Sequence, residues 1–415
     1  MHEPGPPEHP DPGLVALIEA LAVGDDCVAV LVGLRPDHAM LRLLSSPGLL
    51  LAFRAEVLAD PTYRRAVGHG AAELGVEALQ LVAVGAGPET AAHLRDLREH
   101  IPRGSVDLAT VGSDGVATRI TRGALPGPLR TRLEGLSLAP WSPEAAEQIV
   151  RDAQAGGDRV YGDHNAFVAR MRDRRPLVTI ALAVVLGAVG LTEWALGAFD
   201  PEGVYVLAAM GGIVPGHALD RPWTLLAYAL LHGGPIHLGM NAYVLWILGG
   251  QLERIVGGGR VLAVFTAGAL GGGLAAALFG QGVTIGASGG VWGLLAAQGW
   301  LGFFPGGLLP RSVVAVVRKN AGRNLVINLL ISFVPGVSMA GHIGGGLGGL
   351  LASGAGLLAG GVRADEPATA SLGHPVQAGL GLGSAVALLA ALAVAWLDGE
   401  PLLVSDLVRT GQLPP

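Results

Sequence analysis

The chain has 415 residues, of which 51% are hydrophobic, and its mean hydropathy is +0.51. A chain of this length and composition is expected to hold two domains and is too apolar to be wholly soluble. Its net charge of -6, without any run of basic residues, argues against a nucleic acid as partner, and its single cysteine, Cys27, excludes an intrachain disulfide.

The charged residues are concentrated in the first part of the chain. Of the 60 charged side chains, 41 precede Leu177, and the other 19 are spread over 239 positions. This distribution predicts a soluble α/β domain followed by an all-α polytopic membrane domain. The first twenty residues lack the basic start and apolar core of a secretory signal peptide, so the N-terminus is expected to stay in the cytoplasm.

The part that precedes the membrane domain divides into three segments. Residues 1–12 are rich in proline and predict a disordered leader. Residues 13–138 alternate between helix-like and strand-like runs, which predicts a cytoplasmic α/β domain whose ligand the sequence does not identify. Residues 139–176 predict a polar helical linker. The predicted elements are helices over 14–22, 61–74 and 89–100, strands over 27–34, 49–54 and 79–85, and a hairpin over 106–120 that turns at 113–115.

Seven apolar stretches follow, and about 20 apolar residues are needed for a helix to cross the bilayer core. Six of them fall within residues 177–360, and residues 361–415 are expected to form a loop, the seventh helix and an external tail. The predicted spans are 177–198, 223–252, 261–279, 286–304, 325–337, 341–358 and 376–397.

Positive charge predicts the orientation of these spans, because lysine and arginine are enriched in cytoplasmic loops. With the N-terminus inside, eleven basic residues flank the cytoplasmic ends of the spans, and only Arg221 and Arg409 flank the outer ends. We therefore expect an integral protein of a bacterial inner membrane, with a cytoplasmic N-terminal domain and the C-terminal tail outside.

Three of the predicted spans begin at the outer side, and each carries polar residues at that end. The second span carries His237 and, one turn later, Asn241; the fourth begins at Ser288, and the sixth begins at His342. Uncharged polar groups at this depth are costly in lipid and usually face the protein interior or a water-filled cavity. The four side chains are therefore expected to converge near the outer face.

The chemistry of these four residues is that of a serine hydrolase. Ser288 lies between glycines at a helix start, where free N–H groups favour developing negative charge, and His342 could act as its base. His237, Asn241 and the Ser288 N–H could hold the oxyanion. No carboxylate accompanies the group, which favours a Ser–His dyad over a triad, and no cofactor is needed.

Trp292 lies one turn after Ser288 on the same face and could stack on the His342 ring to hold it. Close approach of the fourth and sixth spans requires small residues at their crossing. The glycines expected there are Gly289 and Gly293 on one span and Gly345 and Gly349 on the other.

Two other chemistries fit the sequence less well. His232, His237 and His342 could bind zinc, but the first two are five positions apart and no acid or cysteine completes the set, so no metal is predicted. A transporter would show membrane-embedded charges or broken helices paired by an internal repeat, and the sequence shows neither.

At these residues the sequence resembles the rhomboid family of intramembrane serine proteases. The resemblance covers residues 177–358 and implies a six-helix core, to which the seventh helix is an addition, with a Ser–His dyad in a water-filled cavity open to the outer side. It implies cleavage of membrane-anchored proteins in or near their transmembrane segments, and it makes His232 a supporting cavity residue. The motifs that carry it are His232-x4-His237-x3-Asn241, Gly249 through Glu253 to Gly257, Gly286-Ala287-Ser288-Gly289, and Gly341-His342 followed by Gly345 and Gly349.

One departure from the family concerns the first outer loop, where family members usually carry Trp-Arg. Here Trp223 is followed by Thr224, and Arg221 stands two places earlier, so the sequence does not predict how the loop is anchored. The alternative function is that of a catalytically inactive rhomboid-like protein that binds membrane clients. Such relatives lack the serine or the histidine, whereas both are present here.

Overall fold

The computed structural model describes most of the chain and divides it into two units. The N-terminal unit comprises residues 1–164 with 311–316, and the membrane unit comprises residues 165–310 with 317–415. Cys27, the predicted turn at 113–115 and the predicted tail after residue 398 lie outside the described residues. The described residues are 11–23, 29–35, 38–43, 48–73, 78–101, 105–112, 117–119, 129, 132–133, 136, 142–218, 220–361, 363 and 375–398.

The N-terminal unit is built on a six-stranded mixed sheet whose strands lie side by side in chain order. The strands are β1 Ala29–Leu34, β2 His38–Leu43, β3 Gly48–Arg54, β4 Ala78–Ala86, β5 Ser105–Gly112 and β6 Ala117–Arg119, and the first three helices are α1 Pro12–Ala22, α2 Pro61–Glu73 and α3 Thr90–Glu99. β1, β2 and β3 pair antiparallel, β3, β4 and β5 pair parallel, and β6 returns antiparallel beside β5. Parallel neighbours need a crossover, and α2 and α3 supply the two that this sheet requires.

Both faces of the sheet are covered, because successive side chains of a strand point to opposite faces. In β3, Leu50 and Ala52 belong to an apolar cluster with α1, whereas Leu49, Leu51 and Phe53 belong to a second cluster with α3. The sheet is therefore the middle layer of an α/β/α sandwich.

β2 is a strand that the sequence analysis did not predict. Ala39, Leu41 and Leu43 are buried and alternate with more exposed residues, which is the period of a strand with one covered face. The run is only six residues long and includes His38 and Arg42, so its apolar signal is weak. α1 also begins two residues before the predicted helix, because the Asp11 carboxylate accepts hydrogen bonds from the N–H groups of Gly13 and Leu14 at 2.9 and 3.1 Å.

Long helices make up most of the membrane unit. They are α4 Pro143–Asp173, which starts in the N-terminal unit, α5 Leu177–Ala195, α6 Gly203–Ala209, α7 Thr224–Ala227, α8 Pro235–Val256, α9 Gly258–Phe279, α10 Ser288–Phe303, α11 Arg311–Ile331, α12 Met339–Gly354 and α13 Pro375–Asp398. Among the described residues, three helical segments are long and apolar enough to cross a membrane: 143–195, whose apolar part is α5, then α9 and α13.

Two predicted spans differ from the helices that the structure forms. The predicted span over 223–252 is α7, a 3-10 turn over Tyr228–Leu230, and then α8. The break is at Gly234, whose φ of +145° suits only glycine, and Pro235 then occupies the first turn of α8, where its missing N–H costs nothing. The predicted span over 325–337 is the second half of α11, which begins at Arg311 and ends before Pro335.

Glycines set the spacing of α9, α10 and α12. A Cβ atom at Gly345 would lie 2.2 Å from the carbonyl oxygen of Gly289, and one at Gly349 would lie 2.3 Å from that of Gly293. Both distances are far below van der Waals contact, so a larger residue would push α12 away from α10. The four glycines predicted at this crossing thus lie in direct contact, and the contact holds the N-terminal ends of α10 and α12 together.

A buried carboxylate fastens α5 to α8. Glu253, near the end of α8, accepts hydrogen bonds from the backbone N–H groups of Val178 and Thr179 at 2.9 and 2.7 Å and from the Thr179 hydroxyl at 2.7 Å. The first N–H groups of a helix have no partner within the helix, and a carboxylate there is favoured by the helix dipole. Glu253 therefore caps α5 from a distant part of the chain.

Candidate active site

A cavity of about 550 Å³ opens where α8, α10 and α12 begin and α11 ends. Ser288, His342, His237, Asn241 and Trp292 all line it, so the four convergent polar residues and the aromatic residue expected from the sequence share one space. The cavity is lined mainly by apolar residues, with a few polar side chains among them. Such a mixture is typical of sites that bind a largely apolar ligand and act on it at one point.

Ser288 is the first residue of α10, and the turn before it is shaped by Gly286. Gly286 has φ +119°, and a Cβ atom there would lie 2.7 Å from Nε2 of His237. The N–H of Gly286 donates to the carbonyl of Tyr228 at 2.9 Å, which fixes the turn from behind. Glycine at this position therefore lets the His237 ring lie directly beside the turn that presents Ser288.

His342 is held by two contacts. Its ring stacks on Trp292 with centroids 5.3 Å apart and planes at 26°, and its Nδ1 lies 2.6 Å from the hydroxyl oxygen of Ser332. The same hydroxyl lies 2.8 Å from the carbonyl oxygen of Asn328. With Nδ1 engaged, Nε2 is the ring nitrogen left for chemistry.

Ser288 and His342 face the same cavity without a direct hydrogen bond between them among the described contacts. Hydrogen bonds of this kind are often long before substrate binds and tighten only in the reacting complex. Their arrangement therefore permits a nucleophile and base pair.

His237 and Asn241 lie one helical turn apart on α8. The Asn241 amide donates one hydrogen to the His237 carbonyl at 3.1 Å, which leaves its second hydrogen free to donate into the cavity. The N–H of Gly233 donates to Nδ1 of His237 at 3.5 Å, so that Nε2 carries the proton of the neutral ring. Both side chains can therefore donate a hydrogen bond to an anion in the cavity.

His232 lies behind this group and does not line the cavity. Its ring is fully buried and packs edge-on against His237, with centroids 5.1 Å apart. Its backbone N–H donates to a carboxylate oxygen of Glu193 at 2.6 Å, and Glu193 is itself fully buried. The sequence reasoning did not assign Glu193 a place in the site, although a lone acid inside an apolar helix is a signal for one.

The loop between α6 and α7 is anchored by Arg221. Its guanidinium donates to the carbonyls of Ala208 and Ala209 at 3.2 and 3.4 Å, forms an ion pair with Asp398 at 3.2 Å, and lies 5.9 Å from the Trp223 ring centroid. Arg221 is 6% exposed. The loop is thus anchored by Arg221, two places before Trp223. The sequence did not predict these contacts of Arg221.

Comparison with known proteins gives a match to the Rhomboid domain over residues 219–358. The chain is 32% identical over 182 residues to the Rhomboid protease GluP of Bacillus subtilis, which is 42% of this chain and 31% of that protein. It is 33% identical over 168 residues to RHOMBOID-like protein 4 of Arabidopsis thaliana, or 40% of this chain and 39% of that protein. It is also 32% identical over 152 residues to Rhomboid-related protein 2 of Mus musculus, or 32% and 47%. The chain spans less than half the length of each of these relatives.

Proposed function

Because this chain belongs to the rhomboid family and is an integral membrane protein, we propose that it is a serine protease that hydrolyses peptide bonds in or near the transmembrane segments of other membrane proteins. The observation that carries the proposal is the single cavity that Ser288, His342, His237 and Asn241 line together. Activity in a family member depends on these residues, and this chain has all four.

In the proposed reaction the Ser288 hydroxyl attacks the scissile carbonyl carbon while Nε2 of His342 takes the hydroxyl proton. The carbonyl oxygen becomes negatively charged, and the His237 ring, the Asn241 amide and the Ser288 N–H donate hydrogen bonds to it. His342 then gives the proton to the leaving amine, the C–N bond breaks, and an ester to Ser288 remains. Water, deprotonated by His342, attacks that ester, and His342 returns the proton to the Ser288 oxygen as the second product leaves.

The proposed substrate is a membrane-spanning helix that unwinds readily near the cavity. A backbone carbonyl inside a regular helix is hydrogen-bonded and shielded, so it must be freed before a serine can reach it. Glycine and proline weaken a helix by roughly 1 and 3 kcal/mol relative to alanine, and a substrate that carries them near the cleavage point is expected to be preferred.

We further propose that the N-terminus is cytoplasmic and that the cavity opens toward the outer face of a bacterial inner membrane. The excess of basic residues on one side of the spans supports this orientation. The ion pair between Arg221 and Asp398 brings the end of α13 beside the loop that precedes α7, and the proposed orientation requires these two segments to lie on the same side. A reporter fused after Arg363 should behave as cytoplasmic and one fused after Pro415 as exported. Reporters that indicate the same side would exclude this orientation of α13.

The activity is tested by co-expressing the protein with a panel of tagged single-span membrane proteins. Cleavage by the wild type is expected to be abolished by Ser288→Ala and by His342→Ala, since a dyad acts as a unit, while both variants still insert in the membrane. Covalent labelling of Ser288 by a fluorophosphonate probe, lost in His342→Ala, separates an active protease from an inactive client-binding protein. Wild-type protein that is neither labelled nor cleaves a substrate with an unstable helix would contradict the proposed activity.

A further inference from the structure

The hydroxyl of Ser332 lies between the base and a backbone carbonyl, buried from solvent. Ser332 follows the last residue of α11, and its Oγ is 2.6 Å from Nδ1 of His342 and 2.8 Å from the carbonyl oxygen of Asn328. Ser332 and His342 are 3% and 5% exposed, so solvent water does not compete for either contact. The positions of the hydrogens in this chain of contacts follow from the chemistry of its members.

A serine hydroxyl has one hydrogen to donate and two lone pairs, whereas a carbonyl oxygen can only accept. The contact between Ser332 and Asn328 is a hydrogen bond only if the serine donates its hydrogen there. If the serine instead donated to His342, the lone pairs of two oxygens would face each other at 2.8 Å in a buried site. The hydrogen between Ser332 and His342 must therefore come from Nδ1 of the ring.

We propose that Ser332 is a positioning residue that selects the Nδ1–H tautomer of His342 and so leaves the lone pair of Nε2 free to act as the base. This inference rests on the proposed roles of Ser288 and His342. The Nδ1–H bond to Ser332 persists when Nε2 takes the serine proton, because that proton enters and leaves at Nε2 alone. Ser332 thus orients the ring as the third member of a triad does, but with a neutral hydroxyl in place of a carboxylate.

The size of the effect follows from the neutrality of the acceptor. A hydrogen bond between uncharged groups contributes modestly, so its loss is expected to lower the rate of acylation by about three- to tenfold. Removal of a carboxylate partner of His342 would be expected to lower the rate of acylation far more. The predicted loss is therefore well below that of Ser288→Ala.

The test compares Ser332→Ala with Ser353→Ala in the full-length protein. Ser353 is a matched control, since it is equally buried and its hydroxyl also donates to a carbonyl four residues earlier, that of Gly349 at 2.8 Å, but it makes no contact with His342. Ser332→Ala should lower kcat and the rate of fluorophosphonate labelling of Ser288 about three- to tenfold with little change in KM. Ser332→Thr, which keeps the hydroxyl, should restore most of the rate, and Ser353→Ala should match the wild type.

A second measurement does not depend on activity. In protein labelled with ¹⁵N at histidine, the His342 signals, assigned by their loss in His342→Gln, should show a protonated Nδ1 and an unprotonated Nε2. Ser332→Ala should shift the ring toward a mixture of tautomers. A wild-type ring protonated at Nε2, or a folded Ser332→Ala protein with unchanged labelling rate, would overturn the inference. A wild type that shows the Nδ1–H tautomer but is never labelled would contradict the proposed protease activity and leave the tautomer assignment standing.

Discussion

The imidazole of His342 lies nearly parallel to the indole of Trp292, with ring centroids 5.3 Å apart and planes at 26°. Trp292 is 7% exposed, and it also lines a second, mainly apolar cavity between α10, α11 and α12. The orientation of the His342 ring, the proposed base, therefore depends on an aromatic partner as well as on Ser332.

Substitutions of Trp292 distinguish the contribution of aromatic stacking on His342 from that of side-chain volume. Aromatic pairs contribute about 0.5–1.5 kcal/mol beyond their buried area, so Trp292→Leu should slow labelling of Ser288 about two- to tenfold. Trp292→Tyr keeps a ring and should stay within about twofold of the wild type. Trp300→Leu is the control, because Trp300 lies in the same helix as Trp292 but does not line the cavity. Its ring packs on that of Phe304, with centroids 4.5 Å apart. Equal losses in Trp292→Leu and Trp300→Leu would indicate a general packing defect.

The Gly286 turn should tolerate no side chain. Gly286→Ala places a Cβ atom 2.7 Å from Nε2 of His237, and displacing that ring removes one of the proposed oxyanion donors. Loss of one such donor costs about 10²- to 10³-fold in kcat. Gly282→Ala is the matched control, because Gly282 also has positive φ, at +137°, but no atom lies within 4 Å of a Cβ there. Kinetics of both variants on one substrate distinguish the clash from backbone strain, which both share.

Arg221 should contribute more to stability than its ion pair with Asp398 suggests. Arg221→Ala loses the bonds to the Ala208 and Ala209 carbonyls as well as the ion pair, and we expect it to lower the free energy of unfolding in mild detergent by about 3 kcal/mol. The Asp398 side chain is 37% exposed, so Asp398→Asn should cost less than about 1 kcal/mol. Similar losses in the two variants would mean that the ion pair, rather than the carbonyl contacts, anchors the loop.

The N-terminal unit should lose stability in acid through Asp96. The buried Arg64 guanidinium hydrogen-bonds to the Asp96 carboxylate and to the carbonyls of Leu58 and Ala59, and this bond lowers the pKa of Asp96 below its ordinary value of 3.8. A carboxyl group whose pKa is lower in the folded state contributes its full stabilisation of that state at pH values above its ordinary pKa. The stabilisation is lost as the pH falls through the lowered, folded-state pKa.

Asp96→Asn should therefore unfold at lower urea concentration than the wild type at pH 7, and the two should converge only as the pH falls below the lowered pKa of Asp96, which lies under 3.8. Circular dichroism of the whole chain in urea, recorded at pH 7 and at a series of pH values that extends below this pKa, measures the difference. A difference that is independent of pH would show that the carboxylate charge contributes nothing.

The sequence alone pointed to residues that line the cavity because they are conspicuous in apolar surroundings. Ser288, His237 and His342 stand at the ends of long apolar stretches, where a polar side chain needs a reason to be present. The crossing of α10 and α12 could also be predicted from the sequence, because glycines repeat at helical spacing in both helices. They are Gly289, Gly293, Gly345 and Gly349.

The positions that the sequence did not reveal depend on contacts between remote segments. Ser332 is an ordinary small polar residue at a helix end, and its role follows only from where α11 meets α12. Arg221 and Asp398 are separated by most of the membrane unit, so no local pattern pairs them. The strand β2 was not predicted because its alternation of buried and exposed residues is short and partly polar. Its place in the sheet depends on its neighbours β1 and β3.

The cap that Glu253 forms on α5 has a consequence for how the protein is made. The first turn of α5 leaves the ribosome more than seventy residues before Glu253 does, and it must wait for that carboxylate to satisfy the N–H groups of Val178 and Thr179. Nascent chains arrested before residue 253 should therefore show rapid amide exchange at these two positions, and chains arrested well beyond it should not. The first apolar helix of the membrane unit is thus capped only after the end of α8 has been made, so the helices of the bundle do not each become fixed in the order of their synthesis.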